Sequence, residues 1–395
     1  ENTTPSLILD NGSGYLKCGM SNNQYPEFTL PALVGRPMLR YEENLGGLQI
    51  KPIMVGDEVI PVRSILDLKY PIREGIIKDK EELEILWQYA ITKKVGISED
   101  KFRDYNVMLT EAPYNPFSNK ELMGSILMEK MGFQSFNIEP QAKLALIYEG
   151  KDSGLVLDSG DGVTHCIPVV HNMIDHHNIM RLNIAGRHIT DYLIRLLQVK
   201  GYAFNSSADF EVVRELKEKF CMISADILQD RKLDRETTYY NSFYKLPSGK
   251  TIKISNEKFE APEILFNPLL IEDECPGIHE MIVKCVQNSA IDNRKKLYSS
   301  IILSGANTLF AGFASRLEKE VVKKYQKDVL KDENKKVKID INIVDNPNRQ
   351  FAVFNGAAFL ANFYTSQNPG YWITREEWNE CGTSILNRKC SNIII

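Results

Sequence analysis
The chain has 395 residues, 43% of them apolar and 25% charged, with a net charge of −4. That length exceeds what one ordinary core organises, so two domains or lobes are expected. The acidic balance argues against nucleic acid as the main partner, and no apolar run reaches the length of a membrane span. Seven cysteines are scattered along the chain without a CxxC pair, a pattern of reduced thiols rather than a disulfide framework. Glu1–Pro5 lacks the basic and apolar regions of a signal peptide, and a cytoplasmic location is expected.

In chain order, the first element is an apolar strand, Ser6-Leu7-Ile8-Leu9, running into Asp10-Asn11-Gly12-Ser13-Gly14 and returning as Tyr15–Met20. This reads as a β-hairpin with an acidic, glycine-rich tip. Residues 38–62 are polar, contain glycine and show little periodicity, as an inserted segment would. Leu83, Leu86 and Trp87 mark a helix over 81–89, and 106–109 reads as a strand. Then the opening word recurs a domain's length later. Gly154-Leu155-Val156-Leu157 leads into Asp158-Ser159-Gly160-Asp161-Gly162, and Val163–Val170 returns. A duplicated strand and turn predicts two lobes on one plan.

Ile189, Leu193, Leu196 and Leu197 mark a further helix. Residues 200–280 look inserted, helical first and then β-rich around 239–254. The strand 300–303 ends in a third small-residue turn, Ser304-Gly305-Ala306-Asn307, with Phe310 beyond it. A helix follows through Phe313, Leu317, Val321 and Tyr325, and the lysine-rich stretch 323–338 reads as its solvated end. Strands mixed with helices in both halves make the fold class α/β. The expected first lobe is 1–150 plus 352–395, with 38–62 inserted. The second is 151–351, with about 187–280 inserted.

Glycine-rich tips present several backbone N–H groups to one point and let a phosphate approach the main chain. Two of them predict a triphosphate held from both sides. An acid beside a phosphate repels it unless a cation intervenes. Asp10 and Asp158 therefore imply Mg²⁺ or Ca²⁺, held through water, and Lys17 can place its ammonium on the phosphates. Asn11, Gly12, Ser13 and Gly14 form the first cradle; Gly160, Asp161, Gly162 and Val163 form the second. One such turn is as readily an ordinary hairpin; the pair, with the lysine, is much more specific. The turn at Gly305 and Ala306 would let a planar base lie on the backbone beside Phe310, a weak signal by itself. His171, His176 and His177 match no zinc spacing and read as loop residues.

These three motifs in this order resemble the superfamily of actin, the sugar kinase hexokinase and the seventy-kilodalton heat-shock ATPases. Leu30–Pro37, Val55–Glu58, Leu68–Ile72, Leu109–Pro113, Ile184–Arg187 and Lys217–Lys219 narrow the resemblance to the actin family along nearly the whole chain. Within that family, Gly201–Asn205, Ser207–Glu211, Lys258–Phe266 and the segments 36–40 and 50–58 are similar to the actin-related subunits of the branch-nucleating actin-related protein 2/3 complex. Gly382–Cys390 is closer to conventional actin.

The resemblance implies the actin-like ATPase fold, with two duplicated ribonuclease-H-like lobes. It implies ATP or ADP with Mg²⁺ or Ca²⁺ as cofactor. It assigns Arg214, Lys217 and Glu218 to the nucleoside, with Gly305, Ala306 and Phe310 around the base. Gln141 would position a water for hydrolysis, and His165 would assist through water. The partners implied are actin-related protein 3, the smaller subunits of that complex, actin filaments and nucleation-promoting factors. Ala306 stands where the family has glycine, Gln350 where it has lysine, and Asn183 and His188 where it has aspartates, so weaker nucleotide binding and slow hydrolysis are expected. The alternatives are an actin that polymerises itself, a subunit of another assembly, and a small-molecule kinase. The last needs an acidic base in the cleft, which Gln141 cannot provide.

Overall fold
A computed structural model describes residues 4–38, 44–45, 48–205, 207–246, 249–332 and 336–390. The described residues fall into two compact units. One is drawn from Glu1–Asp152, Val169–Ile174 and Asn348–Ile395, the other from Ser153–Pro168 and Asp175–Pro347.

The first unit is built on a six-stranded mixed sheet. Its order is Ile373–Thr374, Ser135–Pro140, Asn106–Glu111, Leu7–Asn11, Tyr15–Met20 and Phe28–Pro31. The three central strands, Leu7–Asn11, Asn106–Glu111 and Ser135–Pro140, run parallel. The hairpin to Tyr15–Met20 is antiparallel. Side chains alternate across a strand. Leu7 and Leu9 therefore join a core with Leu83, Leu86 and Trp87 of the helix Lys80–Tyr89. On that helix Asp79 is the N-cap, its carboxylate accepting from the amides of Glu81 and Glu82 at 3.1 and 3.2 Å. The helices Gln141–Tyr148 and Ala352–Gln367 pack together. Gly356 permits this, because a Cβ there would lie 2.0 Å from the Leu144 carbonyl oxygen.

The segment after Pro31 has a core of its own. Val34–Pro37, Met54–Val55 and Leu66–Lys69 form a three-stranded sheet over Leu33, Ile50, Val59 and Val62. Single apolar residues spread over short 3₁₀ turns carry no helical or strand period, which explains the weak sequence signal. Residues 39–43 and 46–47 of this insertion, 206 and 247–248 of the next one, and 333–335 of the lysine-rich stretch, lie outside the described residues.

The second unit repeats the arrangement. Gly154–Ser159 lies between Thr164–Val170 and Ile301–Ser304, and Ile343–Val344 follows. The strands at 154, 301 and 343 are parallel, while Met180–Leu182 runs antiparallel to the return strand. Helices Gly186–Val199 and Ser207–Phe220 pack on each other. The inserted stretch continues with the helix Ile227–Glu236 and the hairpin Ser242–Lys245 with Thr251–Ile254.

Candidate functional site
The tip between the first two strands is closed by the Gly12 amide donating to the Tyr15 carbonyl at 3.1 Å. A Cβ on Gly12 would sit 2.4 Å from that same oxygen, so only glycine fits the turn. No protein group among the described residues accepts from the amides of Ser13 and Gly14. The Ser13 hydroxyl accepts from the Gly75 amide at 3.1 Å, and the Gly14 carbonyl from the Ala32 amide at 2.9 Å. Two backbone donors are thus left on a tip whose Gly12 amide, Ser13 hydroxyl and Gly14 carbonyl are engaged.

Asp10 is 2% exposed and has three partners. Lys17 Nζ donates at 2.8 Å, Thr110 Oγ1 at 2.7 Å and Gln141 Nε2 at 3.2 Å. Lys17 stands opposite Asp10 across the hairpin because their Cα atoms are in register. Gln141 Nε2 also lies 3.3 Å from the Asn11 carbonyl and 3.4 Å from Thr110 Oγ1. The amide is pinned on its nitrogen side, and its Oε1 remains an available acceptor. Asn11 Oδ1 accepts from the Trp87 indole at 3.0 Å, whereas its buried Nδ2 has no partner. The sequence motif thus brings Asp10, Asn11, Gly12, Ser13, Gly14, Lys17 and Gln141 together. Thr110 escaped sequence reading, although its position at the end of the neighbouring parallel strand is a signal.

The second tip closes in the same way, with the Gly160 amide donating to the Val163 carbonyl at 3.2 Å. Here the nearest atom to a Cβ on Gly160 is 4.0 Å away. This turn is braced from outside. The Gly186 and Arg187 amides, opening a helix, donate to the Gly160 and Asp161 carbonyls at 3.0 and 2.9 Å. The Arg187 guanidinium pairs with the Asp161 carboxylate at 3.2 Å. Asn307 Nδ2 donates to Ser159 Oγ at 3.1 Å and also to the Gly160 carbonyl. Gly305 makes that approach possible: its φ is +84°, and a Cβ would lie 2.2 Å from the Ser159 carbonyl oxygen. Asp158 is half-buried at the end of its strand, opposite Ser304.

His165, on the return strand, is 1% exposed, and neither ring nitrogen has a hydrogen-bond partner. Burial drives its pKa from 6.5 down to about 3, and Arg181 adds to the effect. The ring is therefore neutral at physiological pH, an acceptor and donor rather than a charge. Lys217 is 4% exposed and donates to the Gly186 carbonyl at 2.8 Å. Burial lowers its pKa, against the pull of Asp161 and Glu218. Arg214 is also buried and pairs with Glu211 at 2.7 Å and Glu218 at 3.8 Å. Glu218 is exposed, as is Ala306, while Phe310 is half-buried. Glu211 was not singled out by sequence, because a buried ion pair at i,i+3 looks like any solvated helix face.

Asn183 accepts from Arg181 Nε at 2.8 Å, and His188 Nδ1 accepts from the Ala185 amide at 3.3 Å. These departures from the family pattern thus have local structural uses. Among the described residues no group of three or more His, Cys, Asp or Glu side chains is placed to ligate a metal. Aspartates acting through a water shell do not require one.

The paired turns and the two mixed sheets define a protein class. A sequence model of the family described as Actin matches residues 1–391, and the chain belongs to the actin family. Within it, the chain is 45% identical to actin-related protein 2 of Schizosaccharomyces pombe over 387 residues, 97% of either chain. It is 42% identical to actin-related protein 2 of Acanthamoeba castellanii, over 97% of this chain and 98% of that one. For the Drosophila melanogaster protein of the same name the identity is 43%, over 97% and 96%. Among the described residues no helix is long and apolar enough to cross a membrane.

Proposed function
We propose that the chain binds ATP with a divalent cation and serves as the actin-related subunit of the actin-related protein 2/3 complex, templating branched actin filaments. The observation that carries this reading is similarity over almost the whole length to actin-related protein 2 of distant organisms, with both glycine-aspartate turns intact.

The residues fit a nucleotide. The Ser13 and Gly14 amides, the Asn11 Nδ2 and both His165 nitrogens have no protein partner, a state that buried polar groups avoid unless a ligand or water satisfies them. Lys17 would shift from Asp10 toward phosphate, freeing the carboxylate for the cation's water shell. The cation supplies charge neutralisation of the phosphates. Lys217 has two further N–H groups beyond the one given to Gly186, and Arg214 lies one helical turn away. For hydrolysis, Gln141 Oε1 can accept from a water while its nitrogen side is held, and neutral His165 can exchange a hydrogen bond with water. Neither is a strong base, so turnover is slow and the nucleotide acts mainly on conformation.

Partner contact has a visible candidate. Phe359 and Phe363, one turn apart on the helix Ala352–Gln367, are 63% and 42% exposed, and Tyr371 is 49% exposed. Exposed aromatics on one helix face suit a protein partner. The partners in this reading are actin-related protein 3, the smaller subunits, actin filaments and nucleation-promoting factors. The decisive experiment purifies the tagged chain from its own cells and sediments it with Mg²⁺-ATP. Co-purification with actin-related protein 3 is expected; filaments of this chain alone would favour a self-polymerising actin, the reading to which Gly382–Cys390 lends support. Absence of ATP binding at millimolar concentration across a Mg²⁺ titration would remove the nucleotide part.

A further inference from the structure
The first unit has a recess of about 430 Å³, wholly apart from the Asp10 turn, whose lining includes Arg103, Asn106, Ser135, Trp372, Thr374 and Arg375. Its walls are fixed. Ser135 pairs with Thr374 in the sheet, and the Ser135 hydroxyl donates to Asn106 Oδ1 at 2.7 Å. Arg375 is oriented by donating from Nη2 to the Phe133 carbonyl at 2.9 Å, which leaves its other N–H groups in place for a ligand. Arg103 is exposed and makes no ion pair or hydrogen bond among the described residues. Trp372 is 3% exposed, and its buried indole N–H has no acceptor. Glu376, exposed on the lining, is the single acid against the two arginines.

We propose that this recess receives an acidic side chain of a partner's peptide segment. A guanidinium held in place matches a carboxylate by two parallel hydrogen bonds. Trp372 also lines the recess, and no acceptor within the protein engages its indole N–H. The volume lies in the range of ligand pockets and far exceeds the roughly 30 Å³ share of one water, so it admits chain as well as charge. Asn106, Gln134 and Thr374 offer neutral hydrogen-bonding groups to the segment's main chain. The site is independent of the nucleotide.

The test uses the full chain in the assembly with which it purifies and follows the anisotropy of fluorescein-labelled, amidated hexaglutamate. Hexaglutamate is expected to bind at least tenfold more tightly than hexaserine. Arg103→Ala and Arg375→Gln should each weaken it fivefold or more, and Trp372→Phe, which keeps the ring packed on Tyr364, two- to threefold. Arg103 is a surface residue, so its variant stays informative if the Arg375 variant fails to fold. Unchanged binding in Arg103→Ala, or equal binding of hexaserine, would overturn the proposal. Displacement of the peptide by an equal concentration of inorganic phosphate would overturn it too, leaving a site for small anions only.

Discussion

The two glycine-aspartate turns share a sequence pattern and a closing hydrogen bond, Gly12 to Tyr15 and Gly160 to Val163, yet they compensate their acids differently. The first pairs its acid within its own hairpin, Asp10 with Lys17, while Thr110 and Gln141 add hydrogen bonds from adjoining elements. The second is held from outside, by a helix start at Gly186, by Asn307 and by Arg187. Crowding differs as well, since Gly12 has main chain at 2.4 Å from a Cβ and Gly160 has room to 4.0 Å. A duplicated motif therefore preserves backbone geometry, while each copy solves its charge and packing problem with whatever surrounds it.

The largest test of this contrast is charge. Lys17→Met leaves Asp10 uncompensated at 2% exposure and is expected to cost about 3 kcal/mol, as does breaking a buried pair from one side. Arg187→Met breaks a more exposed pair, with side chains 26% and 15% exposed, and should cost about 1 kcal/mol or less. Urea unfolding with and without ATP measures both, and equal losses would erase the distinction. Next comes sterics. Gly12→Ala should destabilise by about 1–3 kcal/mol, because the clash is with main chain, whereas Gly160→Ala should stay within about 0.5 kcal/mol. Thermal unfolding of the two variants decides it.

Acid sensitivity sharpens the comparison on the side of the second turn. His165 is held at about 3 in the folded protein against 6.5 unfolded, so the unfolded chain takes up the extra proton between those values. Stability is complete above pH 6.5 and falls as the pH drops toward 3, by about 1.4 kcal/mol for each pH unit from this residue. His165→Gln should flatten that part of the pH–stability curve; an unchanged slope would assign the acid loss to other groups. The smallest effect is expected at the Gly305–Ala306 turn, proposed to face the base. Ala306 is exposed, so Ala306→Gly should alter stability by less than about 0.5 kcal/mol. If the methyl crowds the base, nucleotide affinity rises two- to threefold by equilibrium dialysis.

Much of the local structure around the candidate site was legible in the chain itself. The strand–turn words at Asp10 and Asp158 carry a short continuous apolar run followed by glycines, so both hairpins could be placed by inspection. Gly305 was legible as a turn, though not the reason for it, which is its positive φ and the Ser159 carbonyl oxygen 2.2 Å from where a Cβ would stand. Thr110 showed only its place at a strand end and Asn307 gave no sign of its task, because each acquires it from a neighbour distant in sequence, while the Glu211–Arg214 pair looks like any solvated helix face until its burial is known. The insertion 38–62 showed little periodicity for a related reason: the core it shares with Leu33, of Ile50, Val59 and Val62, is assembled from short segments that carry no period.

Local rules read from sequence alone determined the α/β class, the repeated strand and turn, and the residue types able to meet a phosphate, since pleat alternation and glycine's conformational freedom act within a few residues. Tertiary structure alone decided that Asp10 is neutralised by Lys17, that His165 is neutral and unsatisfied, and that Lys217 is buried against Gly186. Burial and charge compensation depend on which distant groups arrive at the same place, and desolvation has no counterpart in a linear pattern.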